Sequence, residues 1–373
     1  MAHKADVVLV GCGLPGRGMG WYHALQMVEG QIKSANLTDI VEPWFLGGGK
    51  DSAGGRAFAA LVKEWEPRGV KFHLSLKTVP APLGGVPKVA LISGRTADNP
   101  RLLQEVIDAG CTCVYLEKPG APSVHELEEM TAYARSKNVP VFMGYNKNVT
   151  TYVTDAIAAE AAAGPGASTS FYHNNAYKKE ELPECFERNS EGMLKNMAVH
   201  ELAVLVTYYG VTGDNIADVV VDQEYSSCQT LTGPSKGGSY TDFDAIGFTL
   251  TTTEGKSVSV YADRCGDVGG GGYSEAIVKN ASGREVARTM TPDKALQSIV
   301  AAKQAAHPDW MPYFHLQHDD YVTLKERVCS AMLSGTVPEG VATLFIATET
   351  LKVAEYLKGT LAEKLSQPPR ARL

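Results

Sequence analysis

The sequence predicts an α/β protein of two domains, a doubly wound parallel sheet followed by an α+β domain with a large, open, mostly antiparallel sheet. Three observations predict it. From Ala5 to about residue 149, short apolar runs alternate with helical periods, the pattern of parallel strands buried on both faces and joined by helices. Five glycines crowd the turn after the first run, in VVLVGCGLPGRGMGWYH from Val7 to His23. After Asn148 the runs lengthen and several alternate with period two, as antiparallel strands with one solvated face do. At 373 residues the chain has material for two cores, and the boundary is set to give domains 1–148 and 149–373.

In the first domain the strands are read as Val7–Val10, Leu37–Val41, Val70–Leu74, Val89–Ile92, Cys113–Leu116 and Val141–Met143. The helical periods between them are Trp21–Glu29, Gly54–Trp65, Asn99–Ala109 and Ser123–Lys137; Ser123 followed by Glu126 has the spacing of a capping box. The second domain opens with an Ala-rich helix, Thr151–Ala163, stopped by Gly164-Pro165-Gly166. Strands are expected at Ala167–Tyr177, Ile216–Tyr225, Asp242–Thr253, Ser257–Asp263 and Glu275–Asn280, with a helix Leu194–Tyr209 inserted among them. The end reads as helices Lys294–Ala306, Tyr313–Leu333 and Glu339–Leu357, then a frayed tail from Gln367.

The bulk properties exclude several classes. Net charge is −7 and no Lys/Arg run stands out, which argues against nucleic-acid binding. No apolar stretch approaches the roughly 20 residues of a membrane helix, and MAHKAD leads into a strand with no signal-peptide core. The seven cysteines are scattered without a CxxC pair, so they read as reduced, mostly buried thiols of a cytoplasmic protein, with no metal site.

A glycine-rich turn between a first strand and a first helix is where a dinucleotide pyrophosphate binds, on backbone N–H groups at the helix start. Gly11, Gly13 and Gly16 spell GxGxxG; an alternative alignment uses Gly11, Gly13 and Gly20 with Leu14–Met19 as an insertion. Such a fold wants an acid at the end of the second strand for the adenine ribose. Glu42 ends the run Leu37–Glu42, whereas Asp39 points to the opposite side of the strand. Glu42 would repel a 2′-phosphate, favouring NAD, although Arg17, Lys50 or Arg56 would serve NADP.

Glu117-Lys118-Pro119 closes the apolar run Val114–Leu116. A lysine at the carboxyl end of a parallel strand faces the crevice where ligands bind. The glycine turn, Asn99-Pro100 after a strand, and this EKP triplet, in that order, resemble the glucose–fructose oxidoreductase / inositol dehydrogenase (Gfo/Idh/MocA) family. The likeness is strong to residue 147 and looser beyond. Asn196-Met197-Ala198-Val199-His200 fits the family's D/N-x-x-x-H pattern, and residues four apart share a helix face.

The resemblance implies a Rossmann domain, an open-sheet second domain, and an NAD(P)-dependent oxidoreductase acting on a carbinol or carbonyl of sugars, cyclitols and related molecules. It implies catalytic roles for Lys118 and His200, cofactor contacts from Gly11, Gly13, Leu14, Gly16, Glu42, Glu117 and Lys118, and substrate contacts from Lys118, Asn146, Lys147, Tyr177, Asn196 and His200. The chain departs from the family pattern where Asn196 stands for the frequent Asp, and where Gly144-Tyr145-Asn146-Lys147-Asn148 lacks an arginine. These changes bear on the substrate more than the fold. Phe171–Lys178 reads as a polar-decorated strand lining the substrate side, with His173, Asn174, Asn175 and Lys178 beside Tyr177; Arg264 and Gly269–Gly272 read as a loop near the site or at a subunit edge. Imine reduction and a cofactor-binding regulator without turnover are the rival functions; Lys118 and His200 argue against the regulator. An open sheet would expose apolar surface, and family members pair through it, so a homodimer or homotetramer is expected.

Overall fold

The computed structural model describes residues 4–82, 84–266 and 271–367. Gly269 and Gly270 of the glycine run, and the tail from Pro368, lie outside the described residues. The chain divides into two compact units, Met1–Val149 with Ser298–Thr348, and Thr150–Gln297 with Glu349–Leu373.

In the first unit, β1 (Ala5–Val10), β2 (Ala35–Val41), β3 (Lys71–His73), β4 (Lys88–Ile92), β5 (Cys113–Leu116) and β6 (Val141–Met143) form one sheet in the order 3-2-1-4-5-6. Every neighbouring pair is parallel. The central strands are buried along nearly their whole length, which is why their sequences run apolar without alternation. Helices α1 (Met19–Val28), α2 (Ala53–Trp65), α3 (Asn99–Asp108) and α4 (Val124–Ser136) connect them. Ser52 and Ser123 cap α2 and α4 by accepting from Gly55 N and Glu126 N.

In the second unit α5 (Thr151–Ala163) precedes β7 (Ser168–Asn174), and α6 (Leu182–Arg188), α7 (Met193–Asn196) and α8 (Val199–Tyr209) precede β8 (Ile216–Val221), β9 (Ser227–Thr232), β10 (Ser239–Thr252), β11 (Ser257–Asp263), β12 (Tyr273–Lys279) and β13 (Glu285–Thr291). The sheet runs 13-12-7-11-10-8, with β9 paired to β10. All pairs are antiparallel except β7 with β11. The strand expected to reach Tyr177 stops at Asn174, so residues 175–178 are loop rather than strand. The sequence reading also passed over β9 and β13, SCQTLT and EVARTMT, whose burial is slight.

One face of this sheet buries Phe171, Phe248, Leu250, Val258 and Val260. The opposite face carries Ser170, Tyr172, Thr249, Thr251, Ser257, Ser259 and Tyr261, by the strand registers. Thr249 and Ser259 hydrogen-bond across the strands at 2.8 Å, and the Tyr172 and Tyr261 rings stack at 4.6 Å. Gly247 lets Tyr261 lie over β10, since a Cβ there would meet its ring at 2.6 Å. By the same registers this face also carries Val220 and Met290, 59% and 40% exposed, so it mixes hydroxyl and aromatic groups with some of the apolar surface anticipated.

The last helices are α9 (Lys294–Ala306), α10 (Pro312–Leu316), α11 (His318–Ser334) and α12 (Leu344–Ser366). The chain re-enters the first unit within α9 and leaves it within α12. The segment read as one domain, 149–373, is thus divided. Tyr321, Leu324, Val328 and Cys329 of α11 join the core of Val7, Leu9, Val89, Leu91 and Tyr115. A helical period shows that a face is apolar, not which sheet it will cover. No helix among the described residues is long and apolar enough to cross a membrane.

Candidate cofactor-binding and active site

The glycine turn is built for close backbone approach. Gly11, Gly13 and Gly16 have φ of +84°, +75° and +80°, left-handed conformations that glycine adopts without strain. Arg17 N and Gly18 N both donate to Leu14 O, closing a turn over residues 14–18. Gly16 stands at its apex, where a Cβ would find only Trp310 and Asp309 O at 3.6 and 3.9 Å. At Gly20 a Cβ would lie 2.0 Å from Gly11 O. Gly20 thus takes the part of the third fingerprint glycine, close packing of helix on strand, and Gly16 belongs to the inserted turn.

Glu42 reaches back from the end of β2 to this turn. Its Oε2 accepts from Gly13 N at 2.9 Å, and its Oε1 from Trp44 N and Phe45 N at 3.2 and 3.4 Å. Asp39 accepts instead from His73 and Lys88, at 2.8 and 3.4 Å, so it is spent away from the glycine turn. Beside Glu42, Trp44 and Leu74 are 61% and 56% exposed. A Cβ at Gly49 would meet the Trp44 indole at 2.5 Å, and one at Gly47 would meet Leu74 at 3.3 Å. The glycines 47–49 thus leave room for an exposed indole next to the carboxylate. The sequence reading missed Trp44; its signal was an aromatic two residues past the strand-end acid. Backbone cradle, carboxylate and flat apolar ring fit a dinucleotide's diphosphate, ribose and base.

At the carboxyl end of β5, Glu117 is buried and Lys118 is half-buried. Glu117 Oε1 accepts from His23 Nε2 at 2.9 Å and from Tyr115 OH at 3.3 Å. A side chain at Gly144 would strike the carboxylate, with Oε1 only 2.5 Å from the Cβ position. After β6, Asn146 and Lys147 are 1% and 4% exposed. Asn146 Nδ2 donates to Asp320 Oδ2 at 3.4 Å, while Asn146 Oδ1 is buried without a partner. Burial pushes the Asp320 carboxyl up to about 7, against the pull of Asn146 and the Lys147 charge. Asp320 was invisible in the sequence because 174 residues separate it from Asn146.

In the second unit, His200 lies buried in the first turn of α8. Asn196 ends α7, and Met197 and Ala198 stand between the two helices, so the single helix expected from Leu194 is interrupted. The Asn196 amide donates to Glu191 Oε1 at 2.9 Å. Tyr177 OH accepts from Arg188 Nη2 at 3.0 Å. His173 Nδ1 lies 3.1 Å from Oε2 of the buried Glu201, an acid next to His200 that the sequence reading did not single out. Arg264, read as part of a loop, is 1% exposed. Its guanidinium pairs with Asp242 at 2.6 Å, donates to Cys185 Sγ at 3.0 Å and lies over the Phe186 ring. Asp242 in turn accepts twice from Met193 N, at 3.0 and 2.9 Å, and so anchors the start of α7.

By sequence, neither a protein family nor a curated protein matches the chain. Solved structures do match by fold. A myo-inositol 2-dehydrogenase from Lactobacillus plantarum is 16% identical with a TM-score of 0.67, over 97% of this chain and 98% of that one. The scyllo-inositol dehydrogenase from Lactobacillus casei with bound NAD(H) and scyllo-inositol is 12% identical with a TM-score of 0.67, over 97% and 98%. An oxidoreductase from Agrobacterium radiobacter, in complex with NAD⁺, L-tartaric acid and magnesium, is 12% identical with a TM-score of 0.66, over 97% of each chain. The chain has the fold of these dehydrogenases, the fold that the EKP and glycine motifs anticipate.

Proposed function

We propose that this chain is an NAD-dependent oxidoreductase of the Gfo/Idh/MocA kind, moving a hydride between nicotinamide and a carbinol or carbonyl carbon of a small polar molecule. The observation that carries the reading is Glu42 set against the Gly13 N–H in a sheet of order 3-2-1-4-5-6. A carboxylate there accepts from ribose hydroxyls and repels a 2′-phosphate. Arg17, Lys50 and Arg56 are exposed, and Arg56 is engaged with Asp51 O. NAD is therefore preferred to NADP. The inositol and tartaric acid held by the fold neighbours suggest a polyhydroxylated or hydroxy-acid substrate.

Bound NAD would supply the hydride acceptor. Gly11 and Gly13 would let the backbone pass close to its diphosphate, their own N–H groups being given to Val41 O and Glu42; Leu14 and Gly16 would offer it backbone N–H groups, Glu42 would hold its ribose, and the exposed face of Trp44 its adenine. Lys118 is assigned to the reacting oxygen, whose developing negative charge it stabilises. His200 is assigned the proton, a role that imidazole side chains commonly take in catalysis. Asn146, Lys147, Tyr177 and Asn196 are assigned to substrate hydroxyls. Pairing of chains through the Tyr172–Tyr261 face is part of the reading, and sedimentation would measure it.

The test is a panel of cyclitols, polyols, aldoses and hydroxy acids with NAD⁺ and NADP⁺, read at the reduced-nicotinamide absorbance. Turnover with NAD⁺ that falls about 10²- to 10⁴-fold in Lys118→Ala supports the assignment. Near-full turnover in Lys118→Ala, or no cofactor binding by the wild type, would overturn it. Trp44→Ala is expected to weaken NAD⁺ binding about tenfold by loss of stacking.

A further inference from the structure

Behind Glu117 runs a polar chain that crosses the core of the first unit. Lys325 Nζ, on α11, lies 2.9 Å from His23 Nδ1 and donates to Gln26 Oε1 at 2.6 Å. His23 Nε2, on α1, lies 2.9 Å from Glu117 Oε1. Lys325 is 2% exposed, and His23 and Gln26 are fully buried. Gln26 Nε2 donates onward to His318 O at 3.0 Å. Burying this many polar groups costs several kcal/mol unless each is paired, so their pairing demands a reason.

The hydrogen-bond partners assign one arrangement. An ammonium only donates and a carboxylate only accepts. The imidazole between them is therefore neutral, with its proton on Nε2 and its lone pair on Nδ1. Its surroundings agree: burial and the Lys325 charge push the His23 imidazole down to about 4, against the pull of Glu117. Burial also lowers the Lys325 ammonium to about 7, against the pull of Glu117. The other groups around the chain are Tyr115, Tyr145 and Tyr321, with Cys329 beside Lys325. Burial raises all four above their usual values, so they add no charge near neutral pH.

The chain ends asymmetrically at Glu117. Both of its hydrogen bonds fall on Oε1. Oε2 accepts from no described residue, and the side chain keeps 12% exposure at the end of β5. A buried carboxylate with one oxygen doubly held and the other unspent is aimed at a donor outside the chain. Building on the function proposed above, we infer that His23 and Lys325 are positioning residues. They fix Glu117 so that Oε2 accepts a hydrogen bond from the carboxamide N–H2 of the cofactor's nicotinamide ring. Neither touches the cofactor; both act through Glu117, next to Lys118.

The experiment compares binding of NADH with binding of ADP-ribose, which lacks the nicotinamide ring, in the full chain. Wild type is set beside His23→Leu, Lys325→Met and His23→Gln. A glutamine at 23 keeps one N–H for Glu117 and one acceptor for Lys325. His23→Leu and Lys325→Met are expected to weaken NADH about 10- to 100-fold, the worth of a hydrogen bond to a charged group. ADP-ribose should stay within twofold in all variants, and His23→Gln should stay near wild type for both ligands. Unchanged NADH binding in His23→Leu, or equal weakening of both ligands, overturns the inference. Should the single variants fail to fold, the double variant Lys325→Met/Glu117→Gln removes both charges together. It is expected to fold and still discriminate as the single variants do; wild-type NADH affinity in it overturns the inference. A wild type that binds neither ligand would instead defeat the proposed function.

Discussion

Each unit buries a charged cluster, and the two are finished differently. In the second unit, the Arg264 guanidinium is taken up by Asp242, Phe243 O and Cys185 Sγ, and Asp242 gives its remaining capacity to the start of α7. That cluster is closed on itself. In the first unit, the Lys325–His23–Glu117 chain stops one donor short, at Glu117 Oε2. A closed cluster holds backbone in place, while an open one has capacity for a ligand. The difference separates structure from function more sharply than burial or charge, which the two clusters share.

Experiments can break or sharpen the contrast. The largest expected effect is on the closed cluster. Arg264→Met leaves the Asp242 carboxylate buried without its cation, and the cost should be about 3–5 kcal/mol in chemical denaturation. NADH affinity of the folded fraction should not change; a selective loss of NADH binding would erase the distinction.

Next comes acid. The His23 imidazole titrates near 4 in the folded chain and near 6.5 when unfolded, so between these values the unfolded chain binds the extra proton. The stability that His23 contributes is complete above 6.5 and is lost as pH falls through about 4. Urea unfolding at pH 7 and pH 4 should show a loss of about 3 kcal/mol, smaller in His23→Gln. Asp320 acts with the opposite sign. Its folded value, about 7, lies above its ordinary 3.8, so the stability it contributes is complete below 3.8 and is lost as pH rises through 7. Asp320→Asn should raise the Tm at pH 8 and leave it unchanged at pH 4. The smallest effect belongs to a feature outside both clusters: Ser123→Ala removes the cap of α4, worth about 1 kcal/mol, with no change in either ligand's affinity.

How much of this was legible in the sequence follows from the range of each interaction. The parallel strands, the cap at Ser123, the glycine turn and the EKP strand end are local, and each carries its own signal within a few residues. Glu42 was legible because strand and acid adjoin. Lys325 and Asp320 were not, because their partners lie about 300 and 174 residues away and nothing near either residue marks it. The break at Met197–Ala198 escaped notice because no glycine or proline stands there. β9 and β13 escaped because edge strands need little apolar content. Arg264 sits beside glycines, which suggested a loop, and it does lie in the turn after β11; its burial was not legible because its partner Asp242 stands 22 residues away on β10.

The contact between Gly20 and Gly11 O has one more consequence. It pins both ends of residues 12–19, so the segment between them is a closed loop, and lengthening such a loop costs little. The spacing of the glycine fingerprint is then free to drift while the contact stays fixed. A pattern written as fixed intervals between glycines picks Gly16 in this chain, whereas one written as which glycine touches which carbonyl picks Gly20.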